Sequence, residues 1–136
     1  MEQLRTGTPL TAGVLARRAA LPRKLAPVTL TGAVVQLTPL DPEGDAAALH
    51  AVSNGEPITL GGRSIGYYDP DVYVWRYLGG GPFTEAAELG EYLGRVTAAP
   101  DLSALCVRDR PTGRPIGVVT FMANMPEHLK VELGNI

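Results

Sequence analysis

The sequence predicts an α+β (mixed α/β) fold built on a mostly antiparallel sheet with two helices, and three observations carry that expectation. A β-rich run at residues 34–40 precedes two stretches with helical spacing. Two further β-patterned runs flank a connection at 110–114 that contains both Pro and Gly, and another alternating run occupies residues 130–136. Strand, helix, long connection, helix and then three strands able to pair antiparallel is an order that belongs to this class. A chain of 136 residues with 45% apolar content is enough for one domain around one core.

Each element has its own local reason. Val34-Val35-Gln36-Leu37-Thr38-Pro39-Leu40 is β-rich and runs into the turn signal Asp41-Pro42, with Pro39 marking an edge or a strand end. Asp41 is placed to cap a helix with Pro42 at its first position and Glu43 and Asp45 in its first turn, and Ala46, Leu49 and Val52 give the apolar stripe. Residues 53–82 read as a long irregular connection rich in Gly and aromatics. Thr84 is the expected cap of the second helix, in which Ala86, Leu89, Leu93 and Val96 recur at helical spacing before Pro100 stops it. Residues 102–109 and 116–122 then form a hairpin, and 130–136 a further strand. Ahead of all this, residues 1–27 are broken by Gly7, Pro9, Gly13 and Pro22 and leave only 14–21 as a short helix, so they are expected to form a flexible extension to a domain at 28–136.

The formal net charge of −2 is unevenly spread, with +4 on residues 1–27 and −6 on the rest. An acidic body argues against a nucleic-acid surface. Cys106 is the only cysteine, which precludes an internal disulfide and makes a cytoplasmic location the default expectation. The apolar runs are too short for a membrane span. The acid-free stretch from Gln3 to Leu40 leaves organelle targeting open as a weaker reading.

The ordered set of motifs resembles a known family. The strand ending in Asp41-Pro42-Glu43, the segment Val74-Trp75-Arg76-Tyr77 before Gly81-Pro82-Phe83, and the helix ending Glu91-Tyr92-Leu93 look like the opening of a RimJ/RimL-type N-acetyltransferase of the GNAT family. So do the hairpin Thr112-Gly113-Arg114-Pro115-Ile116-Gly117 and the strand Val131-Glu132-Leu133-Gly134. The resemblance covers residues 28–136. It implies a sheet that splays beside its fourth strand, with acetyl-CoA as co-substrate in the split, and an amine acceptor that is a protein N-terminus or a small molecule. It also implies that the Gly-rich pyrophosphate turn and the helix behind it fall after residue 136, so the expectation is an incomplete domain, inactive and without cofactor when alone. The alternative is a non-catalytic interaction module whose last strand is completed by a partner strand, and a homo-oligomer is also left open.

Acyl transfer needs a neutral amine, a proton acceptor and a donor for the oxyanion. By resemblance Glu132 is the candidate base, against the plainer reading of a solvated strand carboxylate. Trp75, Arg76 and Tyr77 fall where the family's acceptor wall would be, against a reading in which Trp75 plugs the core. Leu133, Gly134 and Asn135 would offer backbone groups to the pantetheine arm. His50 and His128 have no second ligand at metal spacing, so no metal is expected. Cys106 reads as a small core residue. Gly79-Gly80-Gly81-Pro82 lacks the Lys-Ser/Thr of a phosphate loop and reads as a hinge.

Overall fold

The computed structural model describes residues 7–135. Arg5 and Glu2 of the basic extension, and the last residue of the run at 130–136, lie outside the described residues. The chain runs α1 (Ala12–Arg18), β1 (Leu30–Thr31), β2 (Val35–Pro39), α2 (Ala46–Ala51), β3 (Ile58–Leu60), β4 (Arg63–Ile65), a π-helical turn (Asp71–Trp75), α3 (Ala86–Ala98), β5 (Ser103–Asp109), β6 (Pro115–Met125), a 3-10 turn (Pro126–His128) and β7 (Lys130–Gly134). The main sheet has the order β1-β2-β5-β6-β7, and every pairing in it is antiparallel. The fold class is the expected one. The hairpin is β5–β6, and the strand at 130–136 is β7.

Pairing register fixes which side chains face the helices. Cys106 lies opposite Thr38 and Val118, and Ala104 opposite Thr120, so these residues share the face on which α2 and α3 pack. Strand alternation carries that face to Met122, Glu132 and Gly134 on β6 and β7. The core beneath the helices is Leu40, Leu49, Trp75, Leu89, Leu93 and Cys106. At about 25 cal/mol per Å² of apolar surface removed from water, this cluster is the main source of stability.

Three local expectations are corrected. The first core helix begins at Ala46 and not at Pro42. The Asp41 carboxylate instead accepts from the Glu43 N–H (3.2 Å), closing a turn ahead of the helix, while the Asp41 N–H donates to Asp45 (3.1 Å). The second core helix is flanked by Glu85 in place of Thr84, because Glu88 reaches back to accept from the N–H groups of both Thr84 (3.0 Å) and Glu85 (3.2 Å). Residues 53–82 are not irregular throughout: β3 and β4 form a hairpin on Gly61-Gly62, both with positive φ (54° and 77°), as a two-residue primed turn requires.

The extension carries a helix at Ala12–Arg18, capped by the Thr11 side chain on the Val14 N–H (3.3 Å). Its later residues are tied to the body. Lys24 Nζ donates to the carbonyls of Thr97 (2.5 Å) and Ala99 (3.1 Å) at the C-terminus of α3, where a cation is favoured. Asn124 donates to Pro22 and Arg23 carbonyls, and Ser103 to that of Leu25.

Candidate functional site

A cleft of about 410 Å³ opens between the π-helical turn, α3 and the helix-facing side of β6 and β7. Its walls are mostly apolar, with Leu78, Leu93 and Val96 above and Val107 and Val118 on the sheet. Ser53, Thr120 and Asn135 and the hydroxyl-bearing Tyr73 and Tyr92 are among its polar side chains.

The long connection forms one wall because the end of α2 holds it. Trp75 Nε1 donates to the Ser53 carbonyl (2.9 Å), the Tyr68 hydroxyl to Val52 (2.9 Å), and His50 Nε2 meets the Phe83 carbonyl (3.0 Å). The first two contacts engage carbonyls just beyond the last turn of α2, groups that the helix itself cannot satisfy, and the third joins a side chain of that turn to the far end of the connection. Trp75 then stacks edge-on with Phe83 (centroids 5.0 Å apart) and Tyr92 (6.4 Å). A side chain on Gly81 would collide with the indole, and one on Gly80 would fall 2.8 Å from the Tyr92 ring. Gly80 and Gly81 are therefore packing space under aromatic rings, which corrects the reading of these two positions as a hinge, while Gly79 stands in open space.

The three residues assigned to the acceptor wall separate. Trp75 is buried and also lines the cleft, so plug and wall are one side chain. Arg76 turns away to pair with Asp71 (3.2 Å), and Tyr77 is 91% exposed; neither lines the cleft.

On the opposite wall, Thr120 is fully buried and donates to the Gly134 carbonyl (2.9 Å), joining β6 to β7 through a side chain. Gly134 lacks a side chain because the Met122 sulfur occupies that position, 2.6 Å from where a Cβ would stand. Asn135 lines the cleft with φ of 52°, while Leu133 lies opposite Phe121 and is 57% exposed. Glu132 lies opposite Met122, is half exposed and pairs with Lys130; it does not line the cleft.

One feature at the centre escaped the sequence reading, while Cys106 is the small core residue expected. Asp45 is buried and accepts from Arg108 Nη2 (2.6 Å), while Arg108 Nε donates to Thr38 Oγ1 (2.9 Å), tying α2 to β2 and β5. Cys106 sits beside this pair, and burial, followed by the Asp45 charge, pushes its thiol up to about 12. It remains protonated at neutral pH and is not a nucleophile there. Among the described residues no group of three or more metal-ligating side chains forms, and no helix is long and apolar enough to cross a membrane.

The fold has solved counterparts. A probable acetyltransferase of the GNAT family from Chromobacterium violaceum superposes with a TM-score of 0.67 at 22% identity, covering 98% of this chain and 58% of its own length. A GCN5-related N-acetyltransferase from Brucella melitensis gives 0.64 at 22% identity, covering 82% of this chain and 44% of its own. No family model and no curated protein matches the chain. The fold is thus that of GNAT acetyltransferases, and the chain spans about half the length of these two structures.

Proposed function

We infer that this chain forms the amino-terminal part of an N-acetyltransferase of the RimJ/RimL type, which moves an acetyl group from acetyl-CoA to the amine of a protein N-terminus or a small molecule. The observation that supports the reading is the match of almost the whole chain to a GNAT fold, over 58% of that structure's length. The local geometry fits one part of the co-substrate and not the other. Among the described residues β7 ends the sheet, so backbone groups of Leu133 and Gly134 lie on a strand suited to hydrogen-bonding an amide-bearing pantetheine arm, and Asn135, just past the strand, lines the cleft. For the pyrophosphate, the described residues offer no comparable cradle: Gly61-Gly62 is a hairpin turn and Gly80-Gly81 is filled by Tyr92 and Trp75.

In this reading Trp75 and Tyr73 shape the wall against which an acceptor amine would lie, and the apolar cleft disfavours the charged, unreactive ammonium form. Glu132 takes the proton only by way of intervening water, since it stands outside the cleft lining. The 136-residue chain does not turn over alone. Calorimetry with acetyl-CoA is expected to give no heat, and clear micromolar binding would refute the claim of inactivity. The acyl-transfer reading is tested separately, by the coding sequence after codon 136: a Gly-rich turn opening a helix is expected there, and the lengthened chain should release CoA thiol with peptide amines. Absence of both ends that reading.

A second reading is a non-catalytic module whose sheet is completed by another chain, since among the described residues β7 pairs with a strand on one side only.

A further inference from the structure

The last turn of α3 stands between two cavities. Val96 lines the cleft of the candidate site, while the next residue, Thr97, lines a second cavity of about 160 Å³. Residues 24–28 of the extension form one wall of this second cavity, and Leu105 and Phe121 lie in its floor. By strand alternation those two side chains point to the sheet face that α2 and α3 do not cover.

Three polar anchors hold the extension here, and each grips backbone. Lys24 donates to the carbonyls of Thr97 and Ala99, which the end of α3 leaves without helical partners. Ser103, at the start of β5, donates to the Leu25 carbonyl (3.2 Å). Asn124 on β6 donates to the carbonyls of Pro22 (3.0 Å) and Arg23 (2.6 Å). The Asn124 anchor depends on a break in its own strand. The β6–β7 register shifts between Met122 and Met125, and Ala123 takes a φ of 48°, a left-handed conformation that residues with a side chain seldom adopt. A bulge of this kind re-aims the side chain beside it, and strain of this kind persists where the surroundings hold it in place. Here the re-aimed side chain is the one that holds residues 22 and 23.

We propose that residues 22–28 are a strap that fixes the last turn of α3 and, through it, the cleft wall made by Tyr92, Leu93 and Val96. Lys24 is a positioning residue: it lines the second cavity and not the cleft, and acts through the helix end that it holds. With the strap docked, α3 keeps Tyr92 edge-on to Trp75 and Val96 against the cleft. With the strap released, the α3 carbonyls lose their cation, the helix end shifts, and the aromatic contact loosens. The strap is a movable part because polar anchors hold it over a cavity it does not fill, and of residues 22–28 only Leu25 is half-buried, the rest being exposed. The inference concerns the shape of the cleft and stands whatever chemistry the cleft serves.

Two signals follow the two parts separately. Trp75 is the only tryptophan and is 8% exposed, so its fluorescence reports on the cleft, while trypsin cleavage after Arg23 reports on the strap. In the 136-residue chain, cleavage after Arg23 is expected to be slower than in the denatured chain, and Trp75 is expected to resist quenching by acrylamide. Lys24→Ala should raise cleavage after Arg23 about two- to fivefold, each rate taken relative to that variant's own denatured chain. Quenching of Trp75 should rise with it, while the urea midpoint stays in place. Asn124→Ala, at the other anchor, should do the same. Lys24→Arg keeps a cationic donor at the helix end and should retain both wild-type readings. Wild-type cleavage at the denatured-chain rate would mean that no strap is docked, and a freed strap with Trp75 quenching unchanged would mean that it holds nothing in the cleft. Either result overturns the inference. So does loss of the fold in Lys24→Ala or Asn124→Ala, since residues 22–28 would then be part of the core and not a movable strap.

Discussion

The centre of the main sheet and its β7 edge are built to different standards. Under α2 and α3, Leu89 is 2% exposed, Cys106 is wholly buried, and the Asp45–Arg108 pair ties a helix to two strands. At β7 the apolar side chains face solvent, and the one ion pair is a surface contact between Lys130 and Glu132. Both regions use the same strand alternation. What separates them is a second layer: α2, α3 and the π-helical turn cover β5 and the start of β6, and nothing among the described residues covers β7 to the same degree. A strand's pattern states which face could be buried; only a packed partner makes the burial happen.

The sharpest way to break this contrast is to remove one member of the central pair. Asp45→Ala leaves the Arg108 guanidinium without its carboxylate and is expected to cost about 3–5 kcal/mol in urea unfolding. A loss below about 1 kcal/mol would show that the pair is solvated and that the centre is not special. Next in size, Leu89→Ala should cost about 2–5 kcal/mol, whereas Leu133→Ala at the open end should cost no more than about 0.5 kcal/mol in the monomer. Equal losses at the two sites would erase the comparison. Thr120→Val, which removes the bond to Gly134 and keeps the shape, should cost about 1 kcal/mol, read as faster amide exchange confined to β7.

Cys106 tests the centre from the side of pH. Its thiol ordinarily titrates near 9.0 and is raised to about 12 in the folded chain. Above pH 9 the unfolded state releases a proton that the native state keeps, so this contribution to stability is fully present below pH 9 and is lost as pH rises toward 12. In the native chain at pH 8 the thiol should react with a disulfide reagent only as fast as the protein opens. The smallest expected effect is at the surface: Glu132→Gln should change monomer stability by no more than about 0.5 kcal/mol.

Much of the fold could be read directly from local chemistry. Alternation placed β2, β5, β6 and β7, and the Pro/Gly connection at 110–114 placed the hairpin, since turn residues and period-2 patterns act over a few neighbours. The helix starts were misplaced by a few residues because capping is a competition: Glu88 supplies the acceptor that Thr84 was expected to give, and Asp45 is held by Arg108, which lies far along the chain. Gly61-Gly62 was a readable hairpin signal inside what looked like a structureless connection. Of the candidate site, Trp75 and Asn135 reach the cleft, while Arg76, Tyr77, Leu133 and Glu132 do not line it. Neighbours in sequence share no obligation to face the same way once a π-helical turn or a strand sets their directions.

By itself the sequence determined the main elements and their order, the α+β class and a single core. Those follow from side-chain volume, polarity and spacing, which act locally. The tertiary structure alone decided that Asp45 meets Arg108, that Trp75 serves as plug and wall together, that the glycines at 80 and 81 make room for rings, and that Glu132 stands outside the cleft. Each of these joins residues far apart in the chain or depends on which layer covers a face, and pairing at a distance is set by packing that no short stretch encodes.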